Sequence, residues 1–185
     1  MRRVTVVVLC EDQQHEVFAR RFLKKLGVGP RDLRIVGIVP GKQSAEQFVR
    51  ENFLKELRDY RRMAARKATA LVVLMDGNTH GPAERQRQLR EACSGHGVEW
   101  IRPREKVLLA FPTYRIENWF SYLDGKEVPE HERCPRLKNP SDCQRHVDQL
   151  WEICQSRQLP ADMPESSRRV CVRFDRQSWR DMSKS

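Results

Sequence analysis

Acidic side chains follow several short apolar runs of the sequence. Glu11 comes after the first run, Asp76 and Asn78 come after a run near the middle of the chain, and Glu117 comes soon after a later one. Carboxylate oxygens are hard ligands of the kind that Mg²⁺ and Mn²⁺ prefer. Any one of these acids would be explained equally well by a helix cap or a solvated turn. Their repeated placement predicts that Glu11, Asp76 and Glu117 converge on a divalent-metal site.

The apolar runs that precede these acids predict buried strands. Three of them, residues 4–9, 35–39 and 70–75, are rich in β-branched residues and too short for a helix. A fourth strand is predicted at 107–111, with 98–101 as a competing or additional choice. None of the first three alternates strictly between apolar and polar residues, which is typical of strands that are covered on both faces.

Helical periodicity separates the strands. Apolar residues recur at positions 18, 22 and 26, a longer pattern runs through 45–64, and a third helix is predicted at 82–93. Strands that alternate with helices predict an α/β fold with a Rossmann-like parallel sheet flanked by helices. Ligands of such sheets bind beyond the carboxyl ends of the strands, which is where the acids are expected.

The later part of the chain predicts a helical C-terminal extension. We expect an α/β core over 1–125 and a loop with a packed helix over 126–165, the helix being capped by Ser141. Residues 166–185 are rich in arginine, and we expect them to form a basic tail that is partly mobile.

A turn after the second strand has features of a phosphate-binding site. Gly41 permits close backbone approach, and the helix that follows offers unpaired N–H groups at its N-terminus. We expect Lys42 and Ser44 to contact a substrate phosphate. Ser44 is equally well explained as an ordinary helix cap, with Gln47 completing a capping box.

Arginines recur at helical spacing in two places and are further candidates for phosphate contacts. The predicted nucleic-acid-binding residues are Arg58 and Arg62 late in the second helix, and Arg85 and Arg87 early in the third. The alternative is a solvated helix face, which for the second-helix group would include Glu56 and Asp59.

The motifs together resemble a small bacterial TOPRIM-like family, related to the nuclease module of overcoming-lysogenization-defect proteins. The resemblance covers about residues 4–155 and lies in VVVLCED, GKQSAEQFVRENFLKEL, ALVVLMDGNT and PTYRIENWFSYLDG. It implies Mg²⁺- or Mn²⁺-dependent nucleic-acid cleavage with Glu11, Asp76 and Glu117 as catalytic groups. Asn78 takes the place of the family's second aspartate as a ligand. The resemblance further implies phage-defence or mobile-element genes as the genetic setting. We expect a nucleic-acid partner, with DNA favoured over RNA but RNA left open, and a protein partner such as an ATPase of the same operon.

Two positions depart from the family pattern. Asp12 stands where a glycine is expected, and Asn78 offers only a neutral oxygen where the family has a carboxylate. Fewer negative ligands weaken Mg²⁺ binding. The alternative is therefore a catalytically degenerate subunit that binds nucleic acid or protein, and a basic adaptor for another protein is a third hypothesis.

Composition narrows the class of protein. The 185 residues carry a formal net charge of +10, which favours a polyanionic partner such as nucleic acid. No run is long and apolar enough for a membrane helix, so we expect a cytoplasmic protein with no membrane partner and with reduced thiols. The residues His131, Cys134, Cys143 and His146 match zinc-ligand types, but not a usual zinc-finger spacing, so zinc is the less favoured metal.

Overall fold

A computed structural model of the chain describes residues 5–37, 44–128, 131–156 and 158–176. Strands and helices alternate along its first two thirds, and three helices follow the last strand. The elements are β1 (Thr5–Cys10), α1 (Gln13–Lys25), β2 (Leu33–Gly37), α2 (Ala45–Ala64), β3 (Thr69–Leu74), α3 (Gly81–Gly95), β4 (Val107–Ala110), α4 (Ile116–Leu123), α5 (Gln144–Gln155) and α6 (Glu165–Arg176).

The strands form one parallel sheet in the order β2-β1-β3-β4. β1 lies at the centre, with Val8 opposite Ile35 of β2 and opposite Val72 of β3. The α/β class with a Rossmann-like parallel sheet is therefore confirmed. The last strand is the one predicted at 107–111, whereas residues 98–101 form no strand.

Both faces of the sheet are covered, which explains why the strand sequences do not alternate. On one face, Val6 and Val8 pack with Phe18 of α1 and with residues of α4, α5 and α6. On the other face, Val7 and Leu9 pack with residues of α2 and α3. The central strand must therefore be apolar at nearly every position.

Helix α6 lies in the segment that the sequence assigned to a basic tail. Its Val170 and Cys171 are buried in the core, while Arg169 and Arg173 are exposed. Cys171 forms a disulfide with Cys154 of α5, with the two Cα atoms 4.7 Å apart. The expectation of reduced thiols is wrong for this pair, because packing of the consecutive helices α5 and α6 brings their cysteines together. The part of the tail after residue 176 lies outside the described residues.

None of the helices in the described part of the chain is both long and apolar enough to cross a membrane.

Candidate functional site

The three predicted acids meet at the carboxyl edge of the sheet. Glu11 directly follows β1, Asp76 comes two residues after β3, and Glu117 lies in the first turn of α4. The backbone N–H of Asp76 donates to Glu11 Oε2 at 2.8 Å. Asp76 Oδ1 accepts from the backbone N–H of Ile116 at 2.9 Å. Asp76 thus links the first acid to the start of the helix that carries the third, and we call these three residues the acid cluster.

A glycine lets the two halves of this edge approach each other. The N–H of Gly77 donates to Pro112 O at 2.9 Å, and the N–H of Asn78 donates to Tyr114 O at 2.7 Å. A Cβ atom on Gly77 would lie 2.6 Å from Pro112 O and closer still to Thr113 O. The position therefore requires a glycine so that Asp76 can reach Ile116.

His15 is a central member of the site that sequence reasoning missed. Its side chain lies on the first turn of α1 and is completely buried. Its Nε2 atom is 2.9 Å from Asp76 Oδ1. Its Nδ1 atom is 2.9 Å from Asp12 Oδ1, though without the alignment of a hydrogen bond. The imidazole therefore lies between two carboxylates.

These contacts keep His15 positively charged. Burial by itself lowers the pKa of His15, but the charge of Asp76 and the close contacts with both carboxylates outweigh it and raise the pKa well above its ordinary value. Burial opposes ionisation of Asp12 as well, yet contacts with the side chain and backbone of His15 hold the pKa of Asp12 low. Asp12 also accepts from the backbone N–H of His15 at 2.9 Å, which caps α1. Asp12 is thus both a helix cap and a counter-ion of His15.

Glu11 and Glu117 are carboxylates that resist ionisation. Burial raises the pKa of Glu11 first, and the negative charge of Asp76 raises it further, against the opposing charge of His15. Burial likewise raises the pKa of Glu117, which is 4% exposed, and Asp76 adds to the effect. A cation at this edge would relieve both the repulsion and the cost of burying the charge.

The chemistry of the acid cluster fits a hard divalent cation, although the side chains are not arranged as a finished site. Carboxylate oxygens are the donors that Mg²⁺ and Mn²⁺ prefer. In residues 5–37, 44–128, 131–156 and 158–176, no group of three or more His, Cys, Asp or Glu side chains has the spacing of metal ligands. Cation binding would therefore require side-chain movement. His15 would have to move away from Asp76 Oδ1, or both His15 and the cation would contact that oxygen.

Asn78, the fourth predicted ligand, lies on the same turn as Asp76. It adopts a left-handed backbone conformation with φ of 49°, which asparagine tolerates better than most residues. Its side chain is partly buried beside the acid cluster. The residue is therefore placed near the site, and the turn conformation alone also explains its presence.

The two α3 arginines that were predicted to bind phosphate, Arg85 and Arg87, lie in different environments. Arg85 reaches the site, but it is buried, and its Nε donates to the backbone carbonyl of Asp76 at 3.1 Å. Arg87 is exposed on α3 and pairs with Glu84 and Glu91. Arg85 therefore fixes the acid-bearing turn instead of facing a ligand.

The turn after β2 is only partly described. Ser44 is exposed and caps α2 by accepting from the N–H of Gln47 at 3.2 Å, as the helix-cap alternative predicts, but the Gln47 side chain donates to Glu51 Oε1 at 2.8 Å and so does not complete a capping box. Lys42 lies outside the described residues.

The late α2 arginines lie far from the acid cluster. α2 runs back from the carboxyl edge and ends before β3 begins, so Arg58 and Arg62 lie toward the amino edge of the sheet. Arg58 donates to the backbone carbonyl of His96 at 3.0 Å, and Arg62 pairs with Asp59 at 2.9 Å. The structure thus does not bring these two arginines to the predicted site.

The four residues of the zinc alternative have other environments. Cys143 is fully buried, with Arg21 Nη1 3.9 Å from its sulfur. His146 is also fully buried, stacks on Phe120 and lies 2.9 Å from Asp124 Oδ1. His131 is exposed and Cys134 is partly buried. Cys143 and His146 therefore serve the packing of α5.

Two neighbours of the acids have structural roles. Trp119, on the same helix as Glu117, is buried and donates through Nε1 to Ser166 Oγ at 2.9 Å, which ties α4 to α6.

Burial raises the pKa of Cys10 to about 12, with further contributions from nearby acids. Cys10 is therefore a protonated thiol and not a nucleophile at neutral pH.

No family model, curated protein or solved structure matches the chain. The TOPRIM-like resemblance accordingly stays a prediction that rests on the quoted motifs.

Proposed function

We propose that this protein cleaves nucleic-acid phosphodiesters with the help of Mg²⁺ or Mn²⁺. The observation that carries the proposal is the convergence of Glu11, Asp76 and Glu117 at the carboxyl edge of a parallel sheet. Glu11 follows β1, Asp76 follows β3, and Glu117 lies in the first turn of α4. Parallel α/β sheets bind their ligands at this edge. Buried like charges with raised pKa values are characteristic of functional sites.

The acid cluster supplies the ligands in this proposal. When bound, the cation would polarise the scissile phosphate and activate water. Asp76 Oδ1 is contacted by both the backbone N–H of Ile116 and His15 Nε2, so the carboxylate has a fixed direction. Glu117 projects from the start of α4, and its helix is anchored through Trp119.

Glu11 is our candidate for proton transfer. Its Oε2 atom accepts a hydrogen bond from the backbone N–H of Asp76. Its Oε1 atom accepts none from the residues that the structure describes. Burial raises the pKa of Glu11, which brings the carboxyl closer to the range in which a general acid or base is effective. Glutamine at this position would keep the shape and the accepting oxygen but could not carry the proton.

A second candidate function is supported by His15. Its imidazolium already neutralises part of the acid cluster without a metal ion. Together with the neutral Asn78, this arrangement suits a degenerate domain that binds nucleic acid, or a partner protein, without cutting. In either case the net charge of +10 favours a polyanionic ligand.

Cleavage assays distinguish these two functions. Wild-type protein is incubated with labelled duplex DNA, single-stranded DNA and RNA in Mg²⁺, Mn²⁺ or EDTA. Glu117→Gln tests the acid cluster, and Glu152→Gln, which removes an exposed carboxylate of α5, is the matched control. We expect metal-dependent cleavage by wild type and Glu152→Gln only. Salt-sensitive binding with no cleavage in any metal would favour the degenerate domain.

A further inference from the structure

A cavity of about 560 Å³ lies between the start of α3, strand β4 and helix α6, and it extends along β4 from Thr113 to Arg173. We call it the α6 cavity. Thr113 is part of its wall, and the neighbouring Pro112 and Tyr114 carbonyls bind the turn that carries Asp76. Pro82, in the first turn of α3, lines the cavity on the other side. The α6 cavity is thus joined directly to the backbone of the proposed catalytic edge.

The walls of the α6 cavity are strongly basic. Arg168, Arg169 and Arg173 all line it, against the single carboxylate of Glu165. Arg169 Nε pairs with Glu165 at 2.9 Å, and Arg173 Nη1 lies 3.4 Å from Val107 O. Each guanidinium has five N–H donors, so both arginines retain donors beyond these contacts. The charge is therefore complementary to an anion, and two of the arginines are exposed enough to reach one.

The floor of the α6 cavity is apolar. It is formed by Leu109 and Phe111 of the β4 segment and by Val172 of α6. Leu109 and Val172 are partly exposed, whereas Phe111 is buried. An apolar floor beneath a basic rim suits a ligand with a flat, weakly polar part and an attached phosphate. A nucleotide unit has this chemistry, and the volume lies within the range of small-ligand sites.

The cavity wall is held in place by contacts of α6 with the rest of the chain. Ser166 Oγ accepts from Trp119 Nε1 at 2.9 Å, and Thr113 Oγ1 is 3.4 Å from the same oxygen. The disulfide between Cys154 and Cys171 links α6 to α5. These contacts present the arginines from a fixed helix, which lowers the entropy cost of binding.

We infer that the α6 cavity is a subsite that holds one nucleotide of a single-stranded nucleic acid along β4, with the Thr113 end of the cavity adjoining the turn that carries Asp76. The phosphate faces Arg169 and Arg173, and the base lies over Leu109 and Val172. This inference rests on the proposed function, because the bound strand is taken to be the substrate, but it concerns binding and needs no metal. It implies that the substrate contains a single-stranded segment.

The test is fluorescence anisotropy in EDTA with a labelled oligothymidine of about 12 nucleotides. The double variant Arg169→Gln/Arg173→Gln removes two phosphate contacts. We expect it to weaken binding about tenfold and to reduce the slope of log affinity against log salt by about 1.4. Arg66→Gln/Lys67→Gln removes the same charge between the end of α2 and the start of β3, toward the amino edge of the sheet, and serves as the control, with a much smaller expected effect.

A second variant blocks the cavity while leaving its charge unchanged. Ala83 is exposed on α3 and lines the cavity, so Ala83→Trp fills the space without disturbing the core. We expect the same weakening from this variant as from the double arginine variant. Equal weakening by the Arg66/Lys67 control, no effect of the two cavity changes, or no binding by wild type would each overturn the inference.

The outcomes separate this inference from the proposed function. Cleavage by wild type with unaltered binding in the cavity variants would reject the subsite and leave the nuclease proposal standing. Selective loss of binding in the cavity variants, with no cleavage in any metal, would support the subsite and reject the nuclease proposal.

Discussion

Replacing Gly77 with alanine is a direct test of how the acid cluster is assembled. The new Cβ atom would lie 2.6 Å from Pro112 O, and closer to Thr113 O, and both are backbone atoms that cannot rotate away. The turn must therefore move. The hydrogen bonds from the N–H groups of Gly77 and Asn78 to the 112–114 segment would be weakened or lost.

The size of the effect follows from these contacts. Two backbone hydrogen bonds contribute about 1 kcal/mol each, and overpacking adds about 1–3 kcal/mol. We therefore expect Gly77→Ala to destabilise the protein by about 3–5 kcal/mol. For a domain of this size the Tm should fall by about 10 °C.

The assay is thermal and urea denaturation followed by circular dichroism. Gly95→Ala is the matched control, because a Cβ atom at Gly95, the last residue of α3, has nothing within 4 Å. Alanine there should be neutral or should stabilise by up to about 1 kcal/mol. If Gly77→Ala were as stable as Gly95→Ala, the close approach of the two backbone segments would be refuted.

Three further predictions concern charge and cross-linking. Glu117→Gln should raise the Tm of the metal-free protein by about 2–4 °C, because it removes a buried carboxylate whose ionisation burial opposes; an unchanged or lower Tm in a thermal melt would contradict this. Burial opposes ionisation of Glu105, yet hydrogen bonds from Arg61 hold the pKa of Glu105 below its ordinary value. The Arg61–Glu105 pair therefore stabilises the fold at pH values above the pKa that Glu105 has in the unfolded chain. This stability is lost as the pH falls through the lower pKa that Glu105 has in the folded protein. As the pH is lowered below about 5, the free energy of unfolding of Glu105→Gln should therefore fall less than that of wild type. Urea titrations at several pH values measure both, and an equal fall with pH for the two proteins would refute the contribution of the pair. Cys171→Ser should cost about 3 kcal/mol, since the disulfide closes a loop with a sequence separation of 17, and a reductant should reproduce the loss in wild type but not in the variant.

The fold was largely predictable because its signals are local. The central strand is apolar throughout, since it packs on both faces, and the intervening helices have clear periodicity. The convergence of Glu11, Asp76 and Glu117 was also predictable, because parallel strands carry the residues that follow them to the same edge.

The remaining features depend on contacts between distant parts of the chain. His15 differs from an ordinary helix histidine only through Asp76, which is 61 residues away; its place three residues after the capping Asp12 was the one local signal. The disulfide requires α5 and α6 to pack together, and six irregularly spaced cysteines do not indicate which two will pair. The spacing of Arg85 resembled that of a phosphate ligand, but its burial against Asp76 O could not be inferred from spacing.

The most direct test of the account is Mn²⁺ binding measured by electron paramagnetic resonance on wild type, Glu11→Gln, Glu117→Gln and the Glu152→Gln control. We expect wild type and Glu152→Gln to bind a single Mn²⁺ that Mg²⁺ displaces, and both acid-cluster variants to bind it at least tenfold more weakly, roughly as expected for loss of a charged ligand. Equal Mn²⁺ binding by all four proteins, or none by wild type, would contradict the claim that Glu11, Asp76 and Glu117 form a metal site.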